Sequence, residues 1–263
     1  MSEVKVLFIG DIVGKLGRQA LKQYLPKLQK KYVPDLVLAN GENLAHGKGL
    51  TSRTANEVLS YGVDLLTSGN HVFAQKEVIP YLKQLPILRP ANYPAGTPGL
   101  GSQILKVART KIGIINLEGR VFMNALLDCP FRTADKILQE LTKQKVKLII
   151  IDLHAEASSE KVALFRYLDG RVSAVLGTHT HIQTADEEVS VKGTAYLTDV
   201  GAVYAKESII GVTQEIIIDK FLSALSRAHE IPETGSVVFN AVLMKFDSRT
   251  GKALAIQRIY EIV

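Results

Sequence analysis

Ala174-Val175-Leu176-Gly177-Thr178-His179-Thr180-His181 is the stretch on which the reading of this chain turns. Three consecutive apolar residues mark a buried strand, and the polar residues after them sit at its carboxyl end. In an extended chain alternate side chains share a face, so His179 and His181 are expected to point the same way. Two imidazoles at the mouth of a strand are what a metal centre needs and what an apolar core avoids. A pair of surface histidines on a loop would look the same in isolation, so the remaining sequence has to decide.

The same punctuation recurs along the chain. Residues 4–9 are apolar apart from Lys5 and end in Gly10-Asp11. Residues 36–39 run into Asn40-Gly41-Glu42-Asn43, residues 63–66 into Thr67-Ser68-Gly69-Asn70-His71, and residues 148–151 into Asp152-Leu153-His154-Ala155-Glu156. Helical patterns lie between these runs: one follows the glycine-rich turn of Gly14 and Gly17 and extends to about residue 32, and others cover 51–61, 77–84, 134–142 and 158–168. Residues 103–107 and 111–115 read as paired strands, and the proline-rich 89–99 as an ordered, irregular loop. Residues 195–197, 236–245 and 253–262 read as further strands.

Strands alternating with helices predict an α/β fold with a largely parallel sheet. The C-terminal strand pair adds an antiparallel element, which suggests two sheets flanked by helices. No internal repeat, linker or low-complexity segment divides the 263 residues, so the expectation is a single domain over 1–263. In such sheets ligands bind at the carboxyl edge. Asp11, Glu42, Asn43, Asn70, His71, His154, His179 and His181 all fall within a few residues of predicted strand exits. Of the six histidines only His46 and His229 stand outside this set, which is hard to ascribe to composition.

Composition narrows the alternatives. Hydrophobic residues make up 46% and charged residues 22%, ordinary for a globular protein. The start, Met1-Ser2-Glu3-Val4-Lys5, lacks the pattern of a signal peptide, and no apolar run reaches the ~18 residues of a membrane span. The lone Cys129 excludes an internal disulfide and a thiolate cluster and reads as a small apolar filler; a cytoplasmic setting is expected. The net charge of +6 comes from scattered lysines without interleaved aromatics, which disfavours a nucleic-acid platform and suits an anionic substrate.

Three familiar motifs fail. Gly10-Asp11-Ile12-Val13-Gly14-Lys15-Leu16 has one residue too few between its glycines for a phosphate-binding loop, and Leu16 replaces the hydroxyl. The dinucleotide spacing fails at the same glycines. No G-x-S-x-G elbow exists for a serine hydrolase. What remains is two carboxylates, two asparagines and several imidazoles. Seven such ligands are too many for one ion and suit two, which can clamp the attacking and leaving oxygens of a phosphoester.

Gly10-Asp11, Gly41-Glu42-Asn43, Gly69-Asn70-His71, His154-Ala155-Glu156 and Gly177-Thr178-His179-Thr180-His181 resemble the motifs of the calcineurin-like metallophosphoesterases. More narrowly the chain resembles the YmdB-like 2′,3′-cyclic-nucleotide 2′-phosphodiesterases. That likeness also includes Gly47-Lys48-Gly49-Leu50, Arg89-Pro90-Ala91-Asn92, Gly96-Thr97-Pro98-Gly99, Gly193-Thr194-Ala195-Tyr196 and Thr198-Asp199-Val200-Gly201. The resemblance implies a four-layer α/β/β/α sandwich with the metal site at the carboxyl ends of the strands. It implies that Asp11, Glu42, Asn43 and His181 hold one ion. Glu42, Asn70, His154 and His179 would hold the other, with Glu42 shared. His71 would be the general acid that protonates the leaving ribose oxygen while a metal-bridged hydroxide attacks phosphorus, yielding a 3′-nucleotide.

The broad superfamily has Asp-x-His where this chain has Asp11-Ile12-Val13, so an imidazole is lost and Asn43 compensates. An oxygen-rich set leans toward iron or manganese, divalent or mixed-valence, with zinc kept as an alternative. Val200-Gly201-Ala202-Val203-Tyr204-Ala205 departs from the Gly-Met-Thr-Gly-like turn of the narrower family. Two other functions compete with a cyclic-nucleotide phosphodiesterase. One is a metal-dependent RNA or DNA nuclease, which a lysine-lined groove beside the site would favour. The other is a regulatory metal- or nucleotide-binding protein whose signalling needs no turnover, against which His71 argues because binding needs no acid. A homo-oligomer is compatible with the sequence. His46 is either a substrate contact or an exposed loop residue, Arg120 a phosphate contact or surface charge, Glu156 an orienter of a histidine or a helix start, and Asp199 a buried structural carboxylate.

Overall fold

The computed structural model describes residues 3–263, so the reading of Met1 and Ser2 lies outside the described residues. The chain runs β1 (Glu3–Ile9), β2 (Asp11–Ile12), α1 (Gly14–Tyr32), β3 (Leu36–Asn40), α2 (Ser52–Ser60) and β4 (Leu65–Thr67). It continues through β5 (Ser102–Val107), β6 (Thr110–Glu118), α3 (Pro130–Lys143), β7 (Leu148–His154), α4 (Ser158–Leu168) and β8 (Ala174–Thr178). Then follow β9 (Glu188–Val189), β10 (Ala195–Leu197), β11 (Ala202–Ala205), α5 (Gln214–Ser223), β12 (Val237–Asp247) and β13 (Ala253–Ile262).

The strands form two sheets. The first has the order β2-β11-β12-β1-β3-β4, with β13 paired to β12; the second has the order β5-β6-β7-β8-β10-β9. β1, β3 and β4 are parallel to one another, as are β6, β7, β8 and β10. Their carboxyl ends therefore share an edge in each sheet, as the alternation of strands and helices predicts.

Period-two side-chain alternation makes the layers. On β1, Val6 and Phe8 enter the core between the sheets, where they join Leu38, Ile114, Ile150, Leu176 and Met244. Leu7 and Ile9 face the other way, onto Leu21, Leu25 and Leu28 of α1 and Val58 of α2. The second sheet repeats the pattern: Ile151, Leu153 and Val175 pack under Leu138 and Leu141 of α3 and Leu164 and Phe165 of α4. The result is the α/β/β/α sandwich. Strands covered on both faces read as unbroken apolar runs rather than alternating ones.

Local chemistry sets the element ends. α2 starts at a reciprocal cap between Thr51 and Thr54, and α3 starts with Pro130, whose missing N–H costs nothing there. The helix predicted over 77–84 is only a 3₁₀ turn, Lys76–Tyr81, because Pro80 lies inside it. The loop over 89–99 is ordered by Arg89, whose guanidinium donates to the carbonyls of Pro90, Thr97 and Pro98 at 2.7, 3.2 and 3.0 Å. Sequence reading missed β2, β9, β11 and α5. Residues 200–205, read as a variant turn, include β11, which pairs with β12 and β2. Among the described residues no helix is long and apolar enough to cross a membrane.

Phe8 is fully buried between the sheets. Phe8→Ala is expected to cost about 3–5 kcal/mol of unfolding free energy, measurable as a lowered midpoint in urea with an unchanged slope.

Candidate metal centre

Glu42 is the hub. It leaves β3 in a turn fixed by its own amide, which donates to Asn40 Oδ1 at 3.1 Å. Its side chain is 1% exposed and collects groups from three strand exits. Oε2 accepts from the His71 amide at 3.1 Å, while Oε1 lies 3.2 Å from His154 Nε2 and 3.3 Å from His71 Nδ1. Asn43 Nδ2 reaches the same Oε1 at 3.3 Å.

The other residues close around this carboxylate. His154 Nε2 lies 3.0 Å from Asn70 Oδ1 and 3.0 Å from His179 Nδ1. Asn43 Nδ2 is 3.3 Å from His181 Nε2, and Asn43 Oδ1 is 2.8 Å from His71 Nδ1. Asp11 is fully buried and accepts the His179 amide on Oδ2 at 3.3 Å, but its Oδ1 has no hydrogen-bond partner. Each residue singled out at a strand exit is thus in the cluster. Atoms of Glu42, His154 and His179 lie within 4.8 Å of one another, a spacing that can hold a metal ion.

The two histidines after β8 arrive by a route the sequence did not suggest. Strand geometry ends at Thr178, and His179 and His181 have φ of 102° and 66°. They converge through a kinked turn rather than through strand alternation, so that expectation is corrected.

Hydrogen bonds select the ring nitrogens. His154 Nδ1 donates to Thr178 Oγ1 at 2.9 Å, and that hydroxyl donates to Asp152 Oδ1 at 2.8 Å. Thr67 Oγ1 and Asn40 Nδ2 donate to Asp152 Oδ2 at 2.5 and 3.2 Å. This leaves His154 Nε2 facing the cluster, as a supported ligand requires. His181 Nδ1 donates to the Ile210 carbonyl at 2.8 Å, which leaves its Nε2 facing Asn43. His179 Nε2 lies 3.1 Å from Glu156 Oε2, while its Nδ1 faces inward to His154 at 3.0 Å. Glu156 therefore sits against a histidine of the site, ahead of the helix that begins at Ser158.

Charge balance follows from burial. At His154 burial disfavours the imidazolium, but Glu42, Asp11 and Asp152 outweigh it and raise the group to about 10. Burial would also raise Glu42, yet His154 and His71 hold it well below the usual carboxylate range. At Asp11 burial wins and the group is raised. Burial and the charge of His154 push His179 down to about 3, so its ring stays neutral with a lone pair to offer. An orphaned buried carboxylate oxygen, a neutral imidazole and an anionic hub together fit divalent cations.

Two buried acids escaped sequence reading. Asp152 supports His154, and burial raises it to about 7. Glu118, at the end of β6 opposite His154, is fully buried with neither carboxylate oxygen hydrogen-bonded. The signal available was a carboxylate within or at the end of a mainly apolar strand. His46 is exposed and lines a cavity of about 430 Å³ with Lys15, Arg18 and His229; none of the cluster residues lines that cavity. Arg120 is exposed, and its backbone amide binds the Glu160 carboxylate at 3.0 Å.

The family model for YmdB-like proteins matches residues 7–259. A Bacillus subtilis (strain 168) protein named 2′,3′-cyclic-nucleotide 2′-phosphodiesterase is 45% identical over 97% of this chain and 96% of its own. A crystal structure of a hypothetical protein from Thermus thermophilus superposes with a TM-score of 0.92 at 42% identity, covering 98% of this chain and 99% of that one. A structure described as a novel phosphatase from Mycoplasma pneumoniae has a TM-score of 0.94 at 33% identity, covering 100% and 94% of the two chains.

Two substitutions test the site's construction. A Cβ on Gly69 would lie 2.0 Å from His154 Cδ2, so Gly69→Ala is expected to displace that ring and lower bound metal at least about tenfold, read by metal analysis after dialysis. Burial raises Glu118 from 4.5 to about 7. A carboxyl raised on folding holds its proton longer in the native state, so its cost grows as pH rises through that window and is full above it. In metal-free protein Glu118→Gln is expected to be more stable than wild type at pH 8, by up to about 3 kcal/mol, and equal to it at pH 4. Denaturant titrations at the two pH values check this.

Proposed function

The chain belongs to the YmdB-like family, and from that premise we propose that it hydrolyses 2′,3′-cyclic nucleotides to 3′-nucleotides as a metal-dependent phosphodiesterase. The observation that carries the reading is the Glu42 carboxylate, buried and met by His71, His154 and Asn43 from separate strand exits. The activity named for the Bacillus subtilis relative supplies the substrate class.

Asp11, Glu42, Asn43 and His181 would hold one ion and Glu42, Asn70, His154 and His179 the other. Two divalent ions supply Lewis-acid polarisation of phosphoryl oxygens and a water of lowered pKa. The absence of thiolates and the abundance of oxygen donors favour iron or manganese over zinc.

His71 has the geometry of a general acid. Its Nδ1 faces Asn43 Oδ1 at 2.8 Å and Glu42 Oε1 at 3.3 Å, two acceptors that fix the ring and favour a proton on that nitrogen. The side chain is 28% exposed, so Nε2 is within reach of a bound substrate. Protonated on both nitrogens, His71 would pass its Nε2 proton to the ribose 2′ oxygen as the ester bond breaks, keeping Nδ1–H against its two acceptors and leaving the phosphate on the 3′ oxygen. The buried Asp152, Thr67, Asn40 and Thr178 network keeps His154 fixed throughout.

The nuclease alternative is weaker. Cations do gather in a concavity of about 330 Å³ lined by Arg109, Lys111, Lys145, Lys147 and Arg249. Lys147 precedes the amino end of β7, whereas His154 is at its carboxyl end, ~20 Å away for a strand of that length. That patch lies at the opposite end of the strand and does not form a lysine-lined groove beside the centre. A cytoplasmic setting agrees with a single free cysteine and a nucleotide substrate.

Iron- or manganese-loaded protein is expected to convert 2′,3′-cyclic AMP to 3′-AMP, and chelation to stop it. His71→Ala should lower kcat by about 10²–10⁴ while bound metal is retained. Absence of turnover in the loaded wild type would overturn the cyclic-nucleotide assignment.

A further inference from the structure

We propose that Lys161 and Asp199 form a buried clamp that positions both histidines of the turn after β8. They touch neither the cluster nor a substrate; they act through Thr180, the residue between His179 and His181.

The turn needs such a device. A residue other than glycine at positive φ is uncommon, and at φ of 102° His179 lies outside the small left-handed well that histidine tolerates. Such conformations persist only where the surroundings over-determine them. Thr180 supplies the handle. Its amide and its hydroxyl both donate to Asp199 Oδ2, at 3.1 and 2.8 Å. Lys161 Nζ donates to the same oxygen at 2.6 Å.

Asp199 is itself held. Its Oδ1 accepts from the Gly201 amide at 2.8 Å, its amide donates to Thr184 Oγ1 at 2.9 Å, and its carbonyl accepts from the Thr184 amide at 3.1 Å. One carboxylate therefore ties α4, the histidine turn and the segment entering β11 to a common point.

Stability alone is a poor reason for this pair. Lys161 is 1% exposed and Asp199 fully buried, and desolvating two charges can outweigh their attraction. Similarly sized apolar side chains often do as well or better at such positions. The lysine stem also has little room: a Cβ on Gly177 would lie 2.8 Å from Lys161 Cδ and 1.8 Å from the Thr198 carbonyl. The stem is threaded beneath the end of β8, directly before the turn it supports. What an apolar pair would not provide is an anionic oxygen accepting three donors, two of them on Thr180.

The inference rests on the metal-centre reading above, and its test separates the two. Lys161→Met removes the ammonium and keeps the stem. Manganese affinity and stoichiometry are measured by calorimetry, and the ring ¹⁵N–¹H signals of His154, His179 and His181 are recorded in metal-free protein. The expected result is affinity lowered about tenfold or more, with His179 and His181 signals broadened or shifted most, and His154, which touches His179, shifted less. Thr180→Val, which deletes only the 2.8 Å hydroxyl contact, is expected to give the same pattern more weakly and serves if Lys161→Met does not fold. Wild-type affinity and unchanged ring signals in a folded variant would overturn the clamp. If wild type itself takes up no manganese, iron or zinc, the metal-centre reading falls, and the ring signals alone decide whether the clamp positions the turn.

Discussion

The structure depends on one buried carboxylate, Glu42, and the need to balance its charge where water is excluded. An isolated ion in that position is untenable. Its neighbours are therefore donors or imidazoles at every approach: the His71 amide, Asn43, His71 Nδ1 and His154 Nε2. His154 in turn is steadied by Asp152 through Thr178, and Asp152 by Thr67 and Asn40. A chain of charge compensation thus crosses the molecule from β3 and β4 to β7 and β8. Replacing one member leaves a charge or a polar group stranded, which is why the polar interior is more demanding than the apolar core around it.

Much of this was legible in sequence because parallel strands covered on both faces must be apolar throughout. The runs at 4–9, 36–39, 148–151 and 174–176 announced themselves, and the polar residues that ended them marked the carboxyl edge. The site followed because residues adjacent to a strand exit need no knowledge of tertiary contacts to be placed. All eight positions singled out at strand exits are found together around Glu42.

What was hidden depends on partners far away in the chain. β2 has two residues and β11 four, too short for any periodicity; they exist because they pair with each other and with β12. α5 buries only Ile217 among its ten residues, so it lacks the apolar stripe by which helices are recognised. Glu118 and Asp152 sit where a strand should be apolar, and their place is set by the electrostatics of the site instead of by pattern. The kink at His179 and His181 was unreadable because its supports, Glu156, Asp199 and Ile210, belong to three separate segments.

The origin of the ligands has a mechanical consequence. Asp11, Glu42, Asn43 and Asn70 extend from the first sheet, whereas His154, His179 and His181 extend from the second. Ions held between them would act as rivets through the sandwich, fastening its two leaves at one edge beside the Asn40 and Thr67 contacts to Asp152, while mainly apolar packing joins them elsewhere. Peeling the leaves apart would then require stripping the ions, and emptying the site would unfasten that edge. Metal supply would thus govern how long the folded molecule survives as well as how fast it works.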